Sequence, residues 1–472
     1  MAPQHPGTLK NTGPLTGVRS ISDHQVRILS DVARYLFSCA DAGVDTAASE
    51  YCRVSTWAPG PGADVMRRIA GRTVSRWSGL RHLVAVLVRP QYEVVGPTPL
   101  KGAGRVRCVV VSWVSQDELS DVGHHADRYF GVDSAADPEI AWVLLSTDGA
   151  APAVEMPNVR VVVPVRPSLA AVINRAWTVL VLCSRVRRAD RGLLAHLLSA
   201  LYSPADAIEQ QVLEFGERDA PTIVAVAYEA QAYQNALIDR LRNAHPGWRI
   251  IGYMHGVLPS LPADMTHRRG APDLLLVNGE GQRRVLVEHL GWPVGSVRAI
   301  PSLRYTTDRP SARGGVLYLP YRHADSDGAI WCLRNFLTAA EPGSIVPFHV
   351  RNHPDNSGSR AHARLITSIS ELVDEFGDRF STQPGARELC LFIGMTGSVI
   401  ECLEDGLDVI QLVSDPLFEM RIPPIWSGLD VRQLADGVYE YHLTGGACFV
   451  ERGPESQKLR AVLSAAVGEE RA

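Results

Sequence analysis

Residues 389–416 read LCLFIGMTGSVIECLEDGLDVIQLVSDP, and this stretch decides the fold that the sequence predicts. It contains two short apolar runs, 389–393 and 409–413, each followed by residues that favour turns. Runs of this length between turn residues are typical of buried strands. Residues 398–404, between the two runs, have the composition of a helix. A strand, a helix and a second strand in this order predict one parallel β-α-β step.

The turn between the first strand and the helix contains Gly394, Thr396, Gly397 and Ser398. In an open parallel sheet, ligands bind beyond the carboxyl ends of the strands, and the first N–H groups of a helix attract anions. The hydroxyl groups therefore predict a phosphate site. A local interpretation also fits, in which Thr396 and Ser398 cap the helix and the glycines form the turn. Glu401 has two similar interpretations, as a capping-box partner or as an acid that binds a nucleotide ribose.

Length and composition limit the class of protein. The chain has 472 residues, which exceeds the size of most single cores, so two or three domains are expected. The net charge of −4 argues against a general nucleic-acid binder. The eight cysteines form no CxxC pair and are expected to be reduced. No signal peptide or spanning segment is evident, so we expect a cytoplasmic protein with at most peripheral contact at the inner face of the membrane.

Residues 1–104 are predicted to be an N-terminal extension, partly disordered and partly helical, with one helix over 23–37. Its arginines at positions 67, 68, 72, 76 and 81 either face an anionic lipid or glycan or form a solvated helix face. From residue 105 onward, short apolar runs alternate with helical stretches, which is typical of a doubly wound parallel sheet. The predicted strands of this part are 106–114, 141–145, 159–163, 179–182, 223–227, 250–253 and 274–277.

Residues 305–315 combine Pro, Gly and charge and predict a linker between domains. After the linker, the same alternation of strands and helices begins again. The sequence therefore predicts an α/β fold with two Rossmann-like domains, 105–304 and 314–472. Two such domains with a cleft between them resemble the GT-B architecture of two-substrate transferases. The further elements of the second domain are strands 316–319 and 345–350 and helices 330–340, 364–376 and 456–467.

His353 and Pro354 follow the second strand of the C-terminal domain, at the same sheet edge as Thr396 and Ser398. A histidine there can donate a hydrogen bond to a phosphate or protonate a leaving phosphate, and the proline fixes its turn. This combination resembles the HP and S/T motifs of bacterial GT-B glycosyltransferases that use CMP-activated sialic acid or Kdo. The resemblance implies that His353 contacts the leaving CMP phosphate and that Thr396 or Ser398 holds that phosphate.

A second resemblance lies in residues 228–256, YEAQAYQNALIDRLRNAHPGWRIIGYMHG. This segment is similar to one found in bacterial surface-carbohydrate biosynthesis proteins, and the RYFG of residues 128–131 fits the same group. The group has a Glu-x-Gln-x-aromatic helix start and an aromatic-x-His turn, which here are Glu229, Gln231 and Tyr233, and Tyr253 and His255.

Glu229 and His255 each follow a predicted strand, so both are expected to face the cleft. A carboxylate there can deprotonate an acceptor hydroxyl, because attack on an anomeric carbon needs a base within hydrogen-bond reach. We predict Glu229, His255 and His353 as catalytic residues. The alternative has Glu229 complementing a helix dipole and His255 as a turn residue.

The loop after the first strand contains His124, His125 and Asp127, and these side chains, with Gln231, are predicted to contact the acceptor. Neighbouring histidines rarely present both rings to one ion, so no metal is expected. The nucleotide-sugar is a substrate, and no other cofactor is expected.

The predicted function is transfer of a sugar from a nucleotide donor to a cell-surface glycan precursor, free or lipid-linked. The favoured donor is a CMP-linked nonulosonic acid or Kdo. The alternatives are a UDP- or GDP-sugar transferase, an epimerase of the same architecture, and a non-catalytic scaffold of a glycan-assembly complex. The oligomeric state stays open.

Overall fold

A computed structural model describes most of the chain and contains two main sheets with helices around them. It is a mixed α/β protein, as the alternation of strands and helices predicted. The described residues are 18–41, 61–75, 77–96, 106–119, 125–149, 151, 156, 158–185, 198, 202–216, 223–307, 313–320, 326–352, 360–454 and 459–468.

The first sheet has eight strands in the order β1-β6-β5-β2-β7-β8-β9-β10. Its strands are parallel except for β1, which pairs with β6 in antiparallel fashion at one edge. All seven residues of β2, CVVVSWV, are buried, because helices cover both faces of such a sheet. The strands are β1 (Gln91–Val95), β2 (Cys108–Val114), β5 (Ile140–Ser146), β6 (Val159–Val165), β7 (Ile223–Ala227), β8 (Arg249–Met254), β9 (Leu274–Val277) and β10 (Val297–Ala299), with a separate small ribbon of β3 (Ala126–Asp127) and β4 (Val132–Asp133).

The second sheet has six strands in the order β13-β12-β14-β15-β17-β16. The first four are mutually parallel, and β17 and β16 form an antiparallel hairpin beside β15. The β-α-β step predicted from residues 389–416 is present, with a helix Ser398–Glu404 between β14 and β15. The strands are β12 (Val316–Tyr318), β13 (His349–Arg351), β14 (Leu389–Ile393), β15 (Asp408–Leu412), β16 (Leu429–Ala435) and β17 (Val438–Leu443).

The helices of the described parts lie before, between and after these strands. The helices before β10 are Val18–Asp41, Pro61–Ile69, Ser78–Leu87, Leu169–Arg185, Ala205–Phe215, Ala232–Ala244 and Glu280–His289. The helices after β12 are Ser326–Ala339, Arg360–Glu375, Ser398–Glu404, Pro416–Glu419 and Leu459–Gly468.

Segments near both ends of the described chain contact residues that lie far from them in sequence. The side-chain amide of Gln25, on the first helix, donates to the carbonyls of Leu417 and Met420. Near the other end, β11 (Ser302–Thr306) pairs with β18 (Arg452–Gly453). One apolar core accordingly includes residues of both sheets, while a second fills the other face of the second sheet. The domain boundaries at 104, 304 and 314 stay predictions.

One predicted strand is a helix. Residues 179–182 lie within the helix Leu169–Arg185 and not in the sheet. A continuous apolar run fits a buried strand or an apolar helix equally well, and periodicity does not separate them. Among the five arginines of the extension, Arg72 forms an ion pair with Asp415 at 2.7 Å, and Arg76 lies outside the described residues.

Within the described part of the chain, no helix has both the length and the apolar character needed to cross a bilayer.

Candidate functional site

A cleft of ≈ 250 Å³ lies between the carboxyl ends of β7 and β8 and the turn that follows β14. Strand ends of the two sheets therefore face each other, which is where parallel α/β sheets bind ligands. Six predicted site residues line it: Glu229, His255, Thr396, Gly397, Ser398 and Glu401. The other lining residues are Met254, Gly256, Val257, Pro259, Asp264, Met265, Arg304, Tyr305, Met395 and Arg421.

Glu229 and His255 form a pair on the first-sheet wall of the cleft. The Nε2 atom of His255 lies 3.6 Å from Oε1 of Glu229. The imidazole packs edge-on against Tyr129, with 4.5 Å between ring centroids, and against Trp113 at 5.9 Å. Burial, with Arg304 and Arg128 adding positive charge, holds the pKa of His255 well below its usual value. The imidazole is therefore neutral at pH 7.

The Nδ1 atom of His255 is buried and has no hydrogen-bond partner among the described residues. The side chain as a whole is 9% exposed. A buried ring nitrogen without a partner loses its hydration without compensation, at a cost of about 1–3 kcal/mol. A hydroxyl-bearing ligand in the cleft is a partner of the right chemistry for this nitrogen.

The turn that carries Glu229 is held by side chains behind it. The amide oxygen of Gln234 accepts hydrogen bonds from the N–H groups of Glu229 and Gln231, each at 3.0 Å. Arg268 donates to the carbonyl of Ala230, whose φ of 53° lies in the left-handed region that most residues avoid. Gln231 donates from its side chain to Oε2 of Glu229 at 3.0 Å. Gln231 thus positions the carboxylate and does not itself line the cleft.

The second-sheet wall is the turn from Met395 to Ser398. The hydroxyl oxygen of Thr396 accepts a hydrogen bond from the N–H of Ser398 at 3.3 Å, which supports the local capping interpretation for this side chain. A Cβ atom on Gly397 would meet the Cβ of Val257 at 3.5 Å, so the two walls approach closely here. Gly394, with φ of 65°, forms the turn behind this wall and does not line the cleft.

Arg421 lies at the base of this wall and was missed by the sequence analysis. Its guanidinium is fully buried and donates to the carbonyls of Thr396 at 2.9 Å and Leu258 at 3.0 Å. It thereby bridges the two walls. Burial lowers its pKa to about 10, so it stays charged at pH 7. Among the described residues, no carboxylate forms a salt bridge with it, and its Nε atom has no partner.

Glu401 faces the cleft and not its own helix start. Its Oε1 atom accepts a hydrogen bond from the hydroxyl of Tyr305 at 2.6 Å, and no capping-box bond is present in this helix. Arg304, the neighbour of Tyr305, lies over that ring at 5.2 Å and also lines the cleft. The ribose-binding role of Glu401 stays a prediction, whereas the capping role does not fit the structure.

Two residues predicted to contact an acceptor are instead buried behind the first wall. His125 is fully buried, with its Nε2 atom 3.3 Å from Oδ2 of Asp127. Asp127 is 2% exposed, and its Oδ1 atom accepts the N–H groups of Tyr129 and Phe130. Both side chains are used internally, so they position Tyr129 against His255 and leave no polar atom for a sugar. His124 lies outside the described residues.

His353 and Pro354, on which the donor prediction depends, also lie outside the described residues. Their roles stay predictions from sequence. The strand before them, β13, is described and is parallel to β12, so residue 351 is at the same sheet edge as the turn after β14. Among the described residues, no group of three or more His, Cys, Asp or Glu side chains is arranged to hold a metal ion.

The cleft combines groups suited to two tasks. A carboxylate beside a neutral imidazole can accept a proton from a hydroxyl, and a buried guanidinium can stabilise a phosphate. Arg421 gave no signal in the sequence because it follows a short helix and not a strand. Buried arginine without a carboxylate becomes recognisable only when its surroundings are known.

Comparisons with known proteins add little to this geometry. No family model matches the chain, and no curated protein matches it. Among solved structures, the chain is similar to the N-terminal domain of trehalose-6-phosphate phosphatase from Candida albicans, with a TM-score of 0.35 and 15% sequence identity over 65% of this chain and 82% of that one.

Proposed function

We propose that this protein is a nucleotide-sugar-dependent glycosyltransferase with a GT-B-like pair of Rossmann-like domains. It transfers a sugar to a cell-surface glycan precursor in the cytoplasm. The favoured donor is a CMP-linked nonulosonic acid or Kdo, on the resemblance of His353, Pro354, Thr396 and Ser398 to the motifs of those enzymes.

The observation that carries the proposal is the buried guanidinium of Arg421 across the cleft from Glu229. A buried cation whose hydrogen bonds go only to neutral carbonyls is costly unless an anion shares the site, and here the carboxylate of Glu401 acts on it without a direct salt bridge. A nucleotide phosphate supplies such an anion. Placing it against the second-sheet wall leaves the first-sheet wall, with Glu229 and His255, for the acceptor.

In the proposed reaction, an acceptor hydroxyl attacks the anomeric carbon while the bond from that carbon to the phosphate oxygen breaks. Glu229 takes the hydroxyl proton, and the neutral imidazole of His255 orients the acceptor by hydrogen bonding. Arg421 and Arg304 stabilise the negative charge that grows on the departing phosphate. His353 contacts the same phosphate or protonates it. The preformed positions of the described groups lower the cost of reorganisation during transfer.

The first experiment measures the melting temperature of the full chain with saturating CMP, UDP, GDP or TDP. A ligand that binds only the folded state raises its stability by mass action. We expect stabilisation by CMP above the other nucleotides. Stabilisation by UDP or GDP alone would support those donors instead and overturn the CMP assignment. No response to any of the four would support the non-catalytic scaffold.

A further inference from the structure

Two helices at the β1 edge of the first sheet pack against each other through a small apolar contact. The helix Ser78–Leu87 leads into β1, and the helix Leu169–Arg185 follows β6, the strand paired with β1. Leu83 and Val86 of the first helix are buried in this contact. Val179, Leu182 and Cys183 of the second helix, with Leu198 and Tyr202, complete the cluster.

These helices also carry large apolar side chains that take no part in this contact and are exposed. Trp77 is 75% exposed and Trp177 is 68% exposed. Of the thirteen large apolar side chains that the described residues expose, eight lie on these two contacting helices or at the caps of the first, so they are concentrated at this edge of the protein and are not scattered singly. Spacings of three and four place them on one stripe of each helix. We call this surface the apolar face: Trp77, Leu80, Val84, Val88, Leu169, Ile173, Trp177 and Leu180.

The helices that carry the apolar face are fixed to the rest of the protein. Arg175 is buried, donates to the carbonyls of Leu87 and Arg89, and lies 4.8 Å from the centre of the Tyr202 ring. His82 lies 2.8 Å from a carboxylate oxygen of Asp64, which ties the first helix to its neighbour Pro61–Ile69. The apolar face is therefore a built surface of a packed unit. A helix with apolar residues on two sides is expected to bury both sides against other groups.

The charges around the apolar face identify what covers it. Neither helix contains Asp or Glu. The exposed charged residues on or beside these helices are Arg81 on the first helix, Arg166 before the second, Arg67 and Arg68 on the neighbouring helix, and one carboxylate, Glu93, on β1. Among the described residues, basic side chains outnumber acidic ones here by four to one, and tryptophan with Leu, Ile and Val beside an excess of basic charge is the composition of helices that lie in an anionic membrane interface.

We propose that the apolar face docks on the surface of an anionic lipid bilayer. The indole rings of Trp77 and Trp177 enter the headgroup region, the aliphatic side chains reach the acyl boundary, and the arginines pair with lipid phosphates. Docking, and not spanning, is the expected mode for helices of ten and seventeen residues.

The position of this surface connects it to the cleft. The second helix starts at the carboxyl end of β6, the sheet edge at which Glu229 follows β7. Three strand spacings separate β6 from β7 in the sheet, or about 15 Å. Docking therefore places the cleft within reach of a lipid-linked acceptor. This consequence rests on the proposed function, whereas docking itself does not.

The test is co-sedimentation of the full chain with vesicles of phosphatidylcholine alone and of phosphatidylcholine with phosphatidylglycerol. We expect binding to the anionic vesicles that weakens with salt. The double variant Trp77→Ser and Trp177→Ser should lower the partition coefficient at least tenfold. The matched control is Trp331→Ser, because Trp331 is 42% exposed on a helix of the second sheet. This control should bind within about twofold of the unchanged protein.

Two further measurements decide the remaining outcomes. The variant Arg81→Gln with Arg166→Gln should weaken binding to anionic vesicles and not to neutral ones. Sedimentation velocity of the unchanged chain and of the tryptophan double variant tests a second copy as the partner. No binding to anionic vesicles, or equal loss in the Trp331→Ser control, would overturn the proposal. A dimer that the double variant converts to monomer would assign the face to a second copy instead. Nucleotide binding is measured separately, so failure of the donor assignment leaves this result unaffected.

Discussion

The two strand-end turns that face each other across the cleft are stabilised in different ways. The turn after β7, which carries Glu229, is held by Gln234 and Arg268 from behind, and its backbone N–H groups are paired inside the protein. The turn after β14, with Thr396 and Ser398, is connected to the opposite wall through the guanidinium of Arg421. The first turn is complete without ligand, whereas the second contains a buried charge that an anion would neutralise.

This difference indicates that the first turn holds a catalytic base and the second turn binds a phosphate. A base must stand in one position before the substrate arrives, because small displacements reduce the rate of proton transfer. A phosphate site gains from a charge whose burial cost is recovered only when the ligand is present. Variants of the two turns should separate these roles, and the largest effect is expected for the base.

Glu229→Gln should lower the turnover number about a thousandfold, because it removes the proposed base and keeps the side-chain shape. The nucleotide affinity should stay within about twofold of the unchanged value. Steady-state transfer assays and nucleotide titration measure the two quantities.

The matched control for this variant is Glu280→Gln. Glu280 also follows a parallel strand and opens a helix, but it pairs with Arg283 on the surface and does not line the cleft. Its turnover number should be unchanged. A Glu229→Gln protein with near-normal turnover would assign the base to another residue.

Arg421→Met should weaken nucleotide binding ten- to a hundredfold, since hydrogen bonds to charged groups contribute about 1.5–3 kcal/mol. The melting temperature without nucleotide should also fall, because the carbonyls of Thr396 and Leu258 lose a buried donor. Isothermal titration with CMP measures the affinity, and Arg421→Lys keeps the charge as a second variant.

Arg334→Met is the control for this pair of variants. Arg334 forms its ion pair with Glu375 on the exposed surface, where such pairs contribute little. An Arg421→Met protein that folds and binds CMP with unchanged affinity would show that this guanidinium is structural.

Gln234→Leu should lower the turnover number about tenfold and leave nucleotide affinity unchanged. The variant removes the acceptor of the N–H groups of Glu229 and Gln231, so the carboxylate loses its fixed direction. A merely structural role would change the melting temperature without moving the pH dependence of turnover. A positioning role should shift the acid limb of that profile.

Much of the fold follows from apolar runs. The step of β14, helix and β15 was predicted within one residue, because a helix between two buried strands has few alternatives. The prediction of a strand at 179–182 was wrong, because the helix that contains these residues is apolar on both sides. The hairpin of β16 and β17 was not predicted, since most of β16 is exposed and the buried part of β17 contains the charged Glu440, so no apolar run marks either strand.

The site was predictable where residues follow parallel strands directly. Glu229, His255, Thr396 and Ser398 were brought together in this way. His125 and Asp127 were misplaced because polar residues in a loop are usually exposed, whereas here they bond to each other inside the protein. Arg421 reaches the cleft from a segment with no such position, and only tertiary packing reveals it.

The smallest predicted effect concerns pH and Glu419, which lies behind the second turn. Its carboxylate accepts the N–H groups of Ser414 and Asp415. Burial, and then the charge of Asp415, raise the pKa of Glu419 to about 7. The folded state therefore holds this proton to a higher pH than the unfolded chain, whose pKa is near 4.5. The resulting stability is fully present below about pH 4.5 and is lost as the pH rises through about 7.

Chemical denaturation at intervals from pH 5 to 8 measures this loss. For Glu419 we expect a decrease of roughly 1 kcal/mol in the free energy of unfolding, after allowance for partial solvent exposure. Glu419→Gln should remove this pH-dependent part because the amide does not titrate. Glu229→Gln, in the first turn, is the control, because it should leave the pH dependence of the free energy of unfolding unchanged. Equal slopes for the unchanged protein and Glu419→Gln would show that other groups set the stability of the second wall between pH 5 and 8.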